Sequence, residues 1–66
     1  MNFYLKCVLT LLGKSIYNGH LIAYCRSGPF SKFYCYNDEK VTLVEDKVVL
    51  ETKNEKTPYI LFYHKI

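Results

Sequence analysis

The sequence contains no tryptophan, three glycines and two prolines in 66 residues. So few turn formers exclude a loop-rich scaffold and leave room for a handful of fairly long elements. Its three cysteines, Cys7, Cys25 and Cys35, are odd in number and form no CxxC pair. A disulfide framework wants an even count and a zinc site wants closely spaced ligand pairs. The thiols therefore read as reduced and buried, in a cytoplasmic or nuclear protein with no metal and no cofactor. No apolar run approaches the roughly 20 residues of a membrane span. The opening "MNFYLKCVLTLLGKS" has too short an apolar core for a leader, and no small-residue cleavage site follows it. Charge of one sign is not concentrated either. The net charge is +3, with lysines at 6, 14, 32, 40, 47, 53, 56 and 65. Phosphate binding draws on many cations acting together, so neither a nucleic acid nor a membrane is expected as a partner.

What is present is apolar. Half the residues are hydrophobic, and seven tyrosines and four phenylalanines make 17% of the chain aromatic. That composition calls for a packed core rather than disorder. The tyrosines offer stacking faces for single-stranded bases, but in segments this dense core and edge packing is the preferred reading. Turn signals fall at "GKSIYNG", "RSGPFS", "NDEK" and "ETKNEKTP", starting at Gly13, Arg26, Asn37 and Glu51. Between them lie "FYLKCVLTLL", "HLIAYC", "KFYCY", "VTLV", "KVVL" and "YILFY", whose composition and length favour strands. "EDKVVL" is ambiguous and also suits one helical turn. The expected fold is mainly β, an antiparallel sheet of about five strands.

Strict alternation of apolar and polar residues is largely missing. Cys7, Leu9 and Leu11 point one way while Val8 and Leu12 point the other, and "YILFY" is apolar on both sides. Strands of this kind are buried on both faces. A sheet of 66 residues cannot cover both of its own faces, so the chain either oligomerises or forms part of a larger domain. The second is favoured.

One histidine, His20, stands after Gly19 and directly before an apolar run. If the hairpin "HLIAYC"–"KFYCY" is centred between Gly28 and Pro29, opposed residues have numbers adding to 57. That register places His20 opposite Asn37, Ile22 opposite Cys35 and Tyr24 opposite Phe33, with opposed side chains on one face. An imidazole and a carboxamide then meet at the strand mouth, with Asp38 one residue on. A bulge in the connection would exchange Asn37 for Asp38 as the partner. An amide or carboxylate bonded to one ring nitrogen fixes the tautomer and aims the other nitrogen at a nucleophile. Gly19, without a Cβ, lets another backbone approach. The bland alternatives are a surface histidine and an "ND" that serves only as a turn.

These residues also carry a resemblance. "L-x-C-V-L-x-L-x-G" from Leu5, "GHLIAYCR" from Gly19, "KFYCYNDEKVTLV" from Lys32 and "PYILFY" from Pro58 follow one another in order. Together they resemble the C-terminal part of the ubiquitin-specific proteases, papain-like ubiquitin carboxyl-terminal hydrolases. The resemblance implies that the sheet is a piece of the palm-like sheet of a papain-like α+β domain, with residues 1–66 its incomplete C-terminal segment. It implies His20 as catalytic base, Asn37 as the residue that orients it and Asp38 as an auxiliary acid. Gly13 to Gly19 would be a loop closing over the C-terminal tail of ubiquitin, with Gly13, Gly19 and Leu21 on the substrate side. The partners implied are ubiquitin or a ubiquitinated protein and the remainder of the protease domain.

The sequence departs from the family pattern in four places. Leu11 stands where the family has the histidine of H-x-G, Leu21 where it has tyrosine, and Phe33 where it has tryptophan. The fourth is the nucleophile, which the family carries far upstream in a glutamine-bearing cysteine box that has no counterpart here. Cys35 shares the expected face with His20 but lies mid-strand among aromatic residues, where burial raises a thiol pKa. All three cysteines read as core. The chain alone is expected to be inactive, and His64, near the end, to lie outside the site. The alternative is a non-catalytic β module that binds ubiquitin or another protein.

Overall fold

The computed structural model describes residues 2–15 and 17–66. Five strands form one antiparallel sheet: β1 (Phe3–Leu12), β2 (His20–Cys25), β3 (Phe33–Asn37), β4 (Lys40–Val44) and β5 (Lys56–Lys65). A single helical turn, α1 (Asp46–Val49), lies between β4 and β5. The spatial order is β4-β3-β2-β1-β5. The first four strands thus form a meander, and the chain then crosses from the β4 edge to pair β5 with β1. The mainly β reading holds, and "FYLKCVLTLL" and "HLIAYC" are strands over their full quoted lengths.

Two segments behave differently from expectation. "KVVL" is not a strand, because Asp46 to Val49 close into α1. One turn has little helical stability of its own. It is held by Val49, which is 1% exposed and packs on the sheet with Val48. The polar run "ETKNEKTP" is only partly a turn. Lys56, Thr57 and Pro58 already belong to β5. Pro58 is tolerated there because β5 is an edge strand and its pairing with β1 shifts register between Leu9 and Thr10.

The core lies on one face. Val8, Ile22, Tyr24 and Phe33 are buried beneath Val49, with Leu5, Leu12, Cys35 and Val44 packed around them. Lys56 is also buried. Its ammonium donates to the carbonyl of Val48 and sits 4.7 Å from the centre of the Tyr24 ring, so the charge has both a dipole and an aromatic face. At the far side, Arg26 donates from Nε to the Leu5 carbonyl (2.8 Å) and from a terminal nitrogen to the Pro29 carbonyl (3.1 Å).

The opposite face is open. Leu21, Tyr34, Tyr36, Val41 and Leu43 are all exposed across β2, β3 and β4, and Ile60 and Phe62 of β5, which pair with Leu9 and Cys7, are exposed with them. This is the consequence of apolar side chains on both sides of each strand.

Candidate active site

The sheet brings His20 and Asn37 together, but not through the expected register. Ala23 pairs with Tyr36, Tyr24 with Cys35 and Cys25 with Tyr34, so paired numbers add to 59 rather than 57. The cause lies in the turn. Ser31 N–H bonds the Gly28 carbonyl at 3.2 Å, so Pro29 and Phe30 are the central residues. Proline supplies the φ that the first central position of such a turn needs. The hairpin therefore folds between Pro29 and Phe30, not between Gly28 and Pro29. Direct opposition of His20 to Asn37, Ile22 to Cys35 and Tyr24 to Phe33 is thereby overturned.

A slip of two leaves every side chain on its original face, because side chains alternate with period two. His20 and Asn37 become diagonal neighbours instead of opposed ones. Diagonal positions remain within reach of long side chains, and His20 Nε2 lies 2.7 Å from Asn37 Oδ1. Asp38 Oδ2 is 3.7 Å from the same nitrogen, beyond hydrogen-bond length. Asp38 takes φ 55° in the two-residue connection that pairs Asn37 with Lys40. It is thus a turn residue and a neighbour of the imidazole at once. With Nε2–H donating to the carboxamide oxygen, the neutral ring keeps its lone pair on Nδ1.

The preceding loop is pinned at its base. Gly13 has φ 122°, and its N–H donates to the Glu55 carbonyl at 2.9 Å. A Cβ added to Gly13 would stand 3.0 Å from Gly19 Cα. A Cβ on Gly19 would meet Leu11 Cδ1 at 2.5 Å, the Ser15 carbonyl at 2.6 Å and the Leu12 carbonyl at 2.9 Å. The expected close approach at Gly19 is therefore real, and it is the loop's own backbone that approaches. Of this loop, Ile16 lies outside the described residues.

The other named residues fall elsewhere. Leu21 opposes Leu11 across β1 and β2, on the face away from His20; Leu11 is buried and Leu21 exposed. Cys35 is on the His20 face, packed against the core, and its thiol is pushed up by burial. His64 pairs with Tyr4 at the other end of the sheet and packs its ring on Tyr4, 5.6 Å between centroids. Lys56 was not singled out by sequence; inside a polar run, nothing marks one lysine as buried. Among the described residues no group of three or more His, Cys, Asp or Glu is placed to hold a metal ion.

Comparison with known proteins points one way. The model of the family described as "Ubiquitin carboxyl-terminal hydrolase" matches residues 1–63. A protein named "Ubiquitin carboxyl-terminal hydrolase 14" from Caenorhabditis elegans is 35% identical over 62 residues, which cover 89% of this chain and 13% of that protein. No solved structure matches. The chain thus spans about an eighth of the length of this relative. With nearly all its residues inside the family model, the chain belongs to the ubiquitin carboxyl-terminal hydrolase family.

Proposed function

We propose that this chain is the C-terminal segment of a cysteine-type deubiquitinase and supplies the histidine base with its orienting amide. The observation that carries the reading is the 2.7 Å contact of His20 Nε2 with Asn37 Oδ1, beside a loop pinned at Gly13 and Gly19. Family membership supports the reaction class. The division of roles among His20, Asn37 and Asp38 is our reading of the geometry.

In this reading Nδ1 of His20 accepts the proton of a cysteine thiol provided by the remainder of the protease domain. The thiolate adds to the carbonyl carbon of ubiquitin's terminal glycine, and the imidazolium so formed returns its proton to the leaving lysine amine. Asn37 holds the ring in the Nε2–H tautomer throughout. Asp38, 3.7 Å from Nε2, is the auxiliary acid of this reading. The loop from Gly13 to Gly19 lies along the ubiquitin tail; Leu21, on the face away from His20, takes no part in this site. Water completes the cycle by attacking the acyl-enzyme.

The open sheet face supports the incomplete-domain reading. Side chains such as Tyr36, Val41 and Leu43, exposed together, are what a missing layer would cover. The remainder of the domain is the occupant we propose for it. A reducing compartment, cytoplasm or nucleus, is the setting proposed, in keeping with three free thiols.

The test is complementation. The 66-residue chain alone should release nothing from a fluorogenic ubiquitin C-terminal amide. Mixed with a chain carrying the cysteine box, it should restore turnover, and His20→Ala should abolish it. Turnover that survives His20→Ala would remove the base assignment. The second reading is a non-catalytic module that binds ubiquitin through exposed sheet, favoured by Leu21 and Tyr36 standing open to solvent. Titration of the isolated chain with ubiquitin, followed by NMR, separates the two. Saturable shifts on β2 and β3 without a partner chain support the module, and unchanged spectra reject it.

A further inference from the structure

Cys7 of β1 and Cys25 of β2 are directly opposed. The Arg26 N–H bonds the Lys6 carbonyl at 3.0 Å, so residues 6 and 26 form a hydrogen-bonded pair. Alternation along the ladder makes Cys7 and Cys25 a non-hydrogen-bonded pair, the kind whose side chains stand closer. Such pairs have Cα atoms about 4.5 Å apart, inside the roughly 4.4–6.8 Å window of disulfides. Both side chains are on one face, because opposed residues share it. Neither belongs to the core cluster, and both are partly exposed.

We propose that Cys7 and Cys25 form a redox-active dithiol that small-molecule disulfides such as oxidised glutathione close into a cross-strand disulfide. The inference does not depend on the deubiquitinase reading. A cavity of about 280 Å³, lined by Cys25, Arg26, Ser27, Tyr34 and Tyr36, opens beside the pair. It gives a small reagent access to the Cys25 side of the pair. The Cys25 thiol is pushed up to about 12, by burial first and then by its contact with Cys7.

The step balances without any other oxidant. The thiolate of one of the two cysteines attacks one sulfur of the reagent, the reagent's S–S bond breaks, and one small thiolate leaves. The sulfur of the other cysteine then attacks the mixed disulfide, its proton passing to the departing second thiolate. The protein dithiol is oxidised by two electrons, and one small disulfide becomes two small thiols. Cys35 takes no part, because it is opposed to Tyr24 on the other face and packed on the core.

The experiment treats the folded 66-residue chain with oxidised glutathione, quenches it with acid, alkylates free thiols and maps peptides by mass spectrometry. Two of the three thiols should be lost to alkylation, in a Cys7–Cys25 cross-link, with Cys35 still alkylated. The same treatment in urea should give all three possible pairings. Cys25→Ser should stop the reaction at a glutathione adduct on Cys7, whereas Cys35→Ser should leave the cross-link unchanged. Three alkylatable thiols after treatment of the folded chain would overturn the proposal. So would pairing of Cys35 in the folded chain, or no adduct on Cys7 in Cys25→Ser.

Discussion

Replacing Gly19 by alanine tests how the loop beside the site is held. Gly19 does not adopt a left-handed φ, so alanine's backbone preferences are not offended and the effect is steric. The new methyl would lie 2.6 and 2.9 Å from the Ser15 and Leu12 carbonyl oxygens, and 2.5 Å from Leu11 Cδ1. Leu11 can rotate away, but the two oxygens are backbone, and one of them belongs to the end of β1. Overpacking of this kind costs about 1–3 kcal/mol, and two immovable contacts place the expectation at about 2–3 kcal/mol. A domain of this size has roughly 3–10 kcal/mol in total, so the loss is a large share of it. With a urea slope of about 1 kcal/mol/M, the unfolding midpoint should fall by about 2–3 M. Gly28→Ala is the control, since its Cβ would touch only Ser31 Oγ at 3.6 Å. It should be neutral or stabilise by about 0.4–1 kcal/mol. Circular dichroism during urea titration reads both. Equal midpoints for Gly19→Ala and Gly28→Ala would refute the close approach.

Other outcomes follow from the same structure. Val49→Ala should cost about 2 kcal/mol, because about two methylene equivalents leave a fully buried site and a cavity remains over Ile22 and Phe33; the urea midpoint reads this too. Alkaline stability should fall as pH rises from about 9 toward 12. Cys25 keeps its proton in the folded chain up to about 12, against 9.0 for an ordinary thiol, so over that window the unfolded chain binds fewer protons and is favoured. Thiolate absorbance near 240 nm, followed with the unfolding signal, checks the sign, and Cys25→Ala should flatten the profile. In the complemented enzyme, Asn37→Ala should lower kcat more than it changes KM, while Asn37→Asp, which keeps an acceptor for Nε2–H, should retain more activity.

Much of this architecture was legible because each strand carries a local signature. "HLIAYC" is bounded by Gly19 and by the turn around Pro29, and its composition allows no competing element. The His20 face was legible too, since an even slip in register leaves every side chain on its face. The register itself was not, because it depends on which pair of residues occupies the centre of the turn. Gly28 and Pro29 look like the central pair, yet proline's fixed φ suits it to the first central position, with Gly28 before it. The end of "EDKVVL" was ambiguous for a different reason. A four-residue element has no period to read, and the packing of Val49 under the sheet decides its form. Burial of Lys56 is equally a tertiary outcome, set by where β5 crosses to meet β1.

In the proposed site Asn37 fixes the His20 ring with its proton on Nε2 and its lone pair on Nδ1. Long-range ¹H–¹⁵N correlation of the histidine side chains, recorded with the rings neutral, reads that directly. His20 should show a protonated-type shift at Nε2 and an unprotonated-type shift at Nδ1, averaging toward a mixture in Asn37→Ala. A proton on Nδ1, or a His20 pattern that Asn37→Ala leaves unchanged, would contradict it.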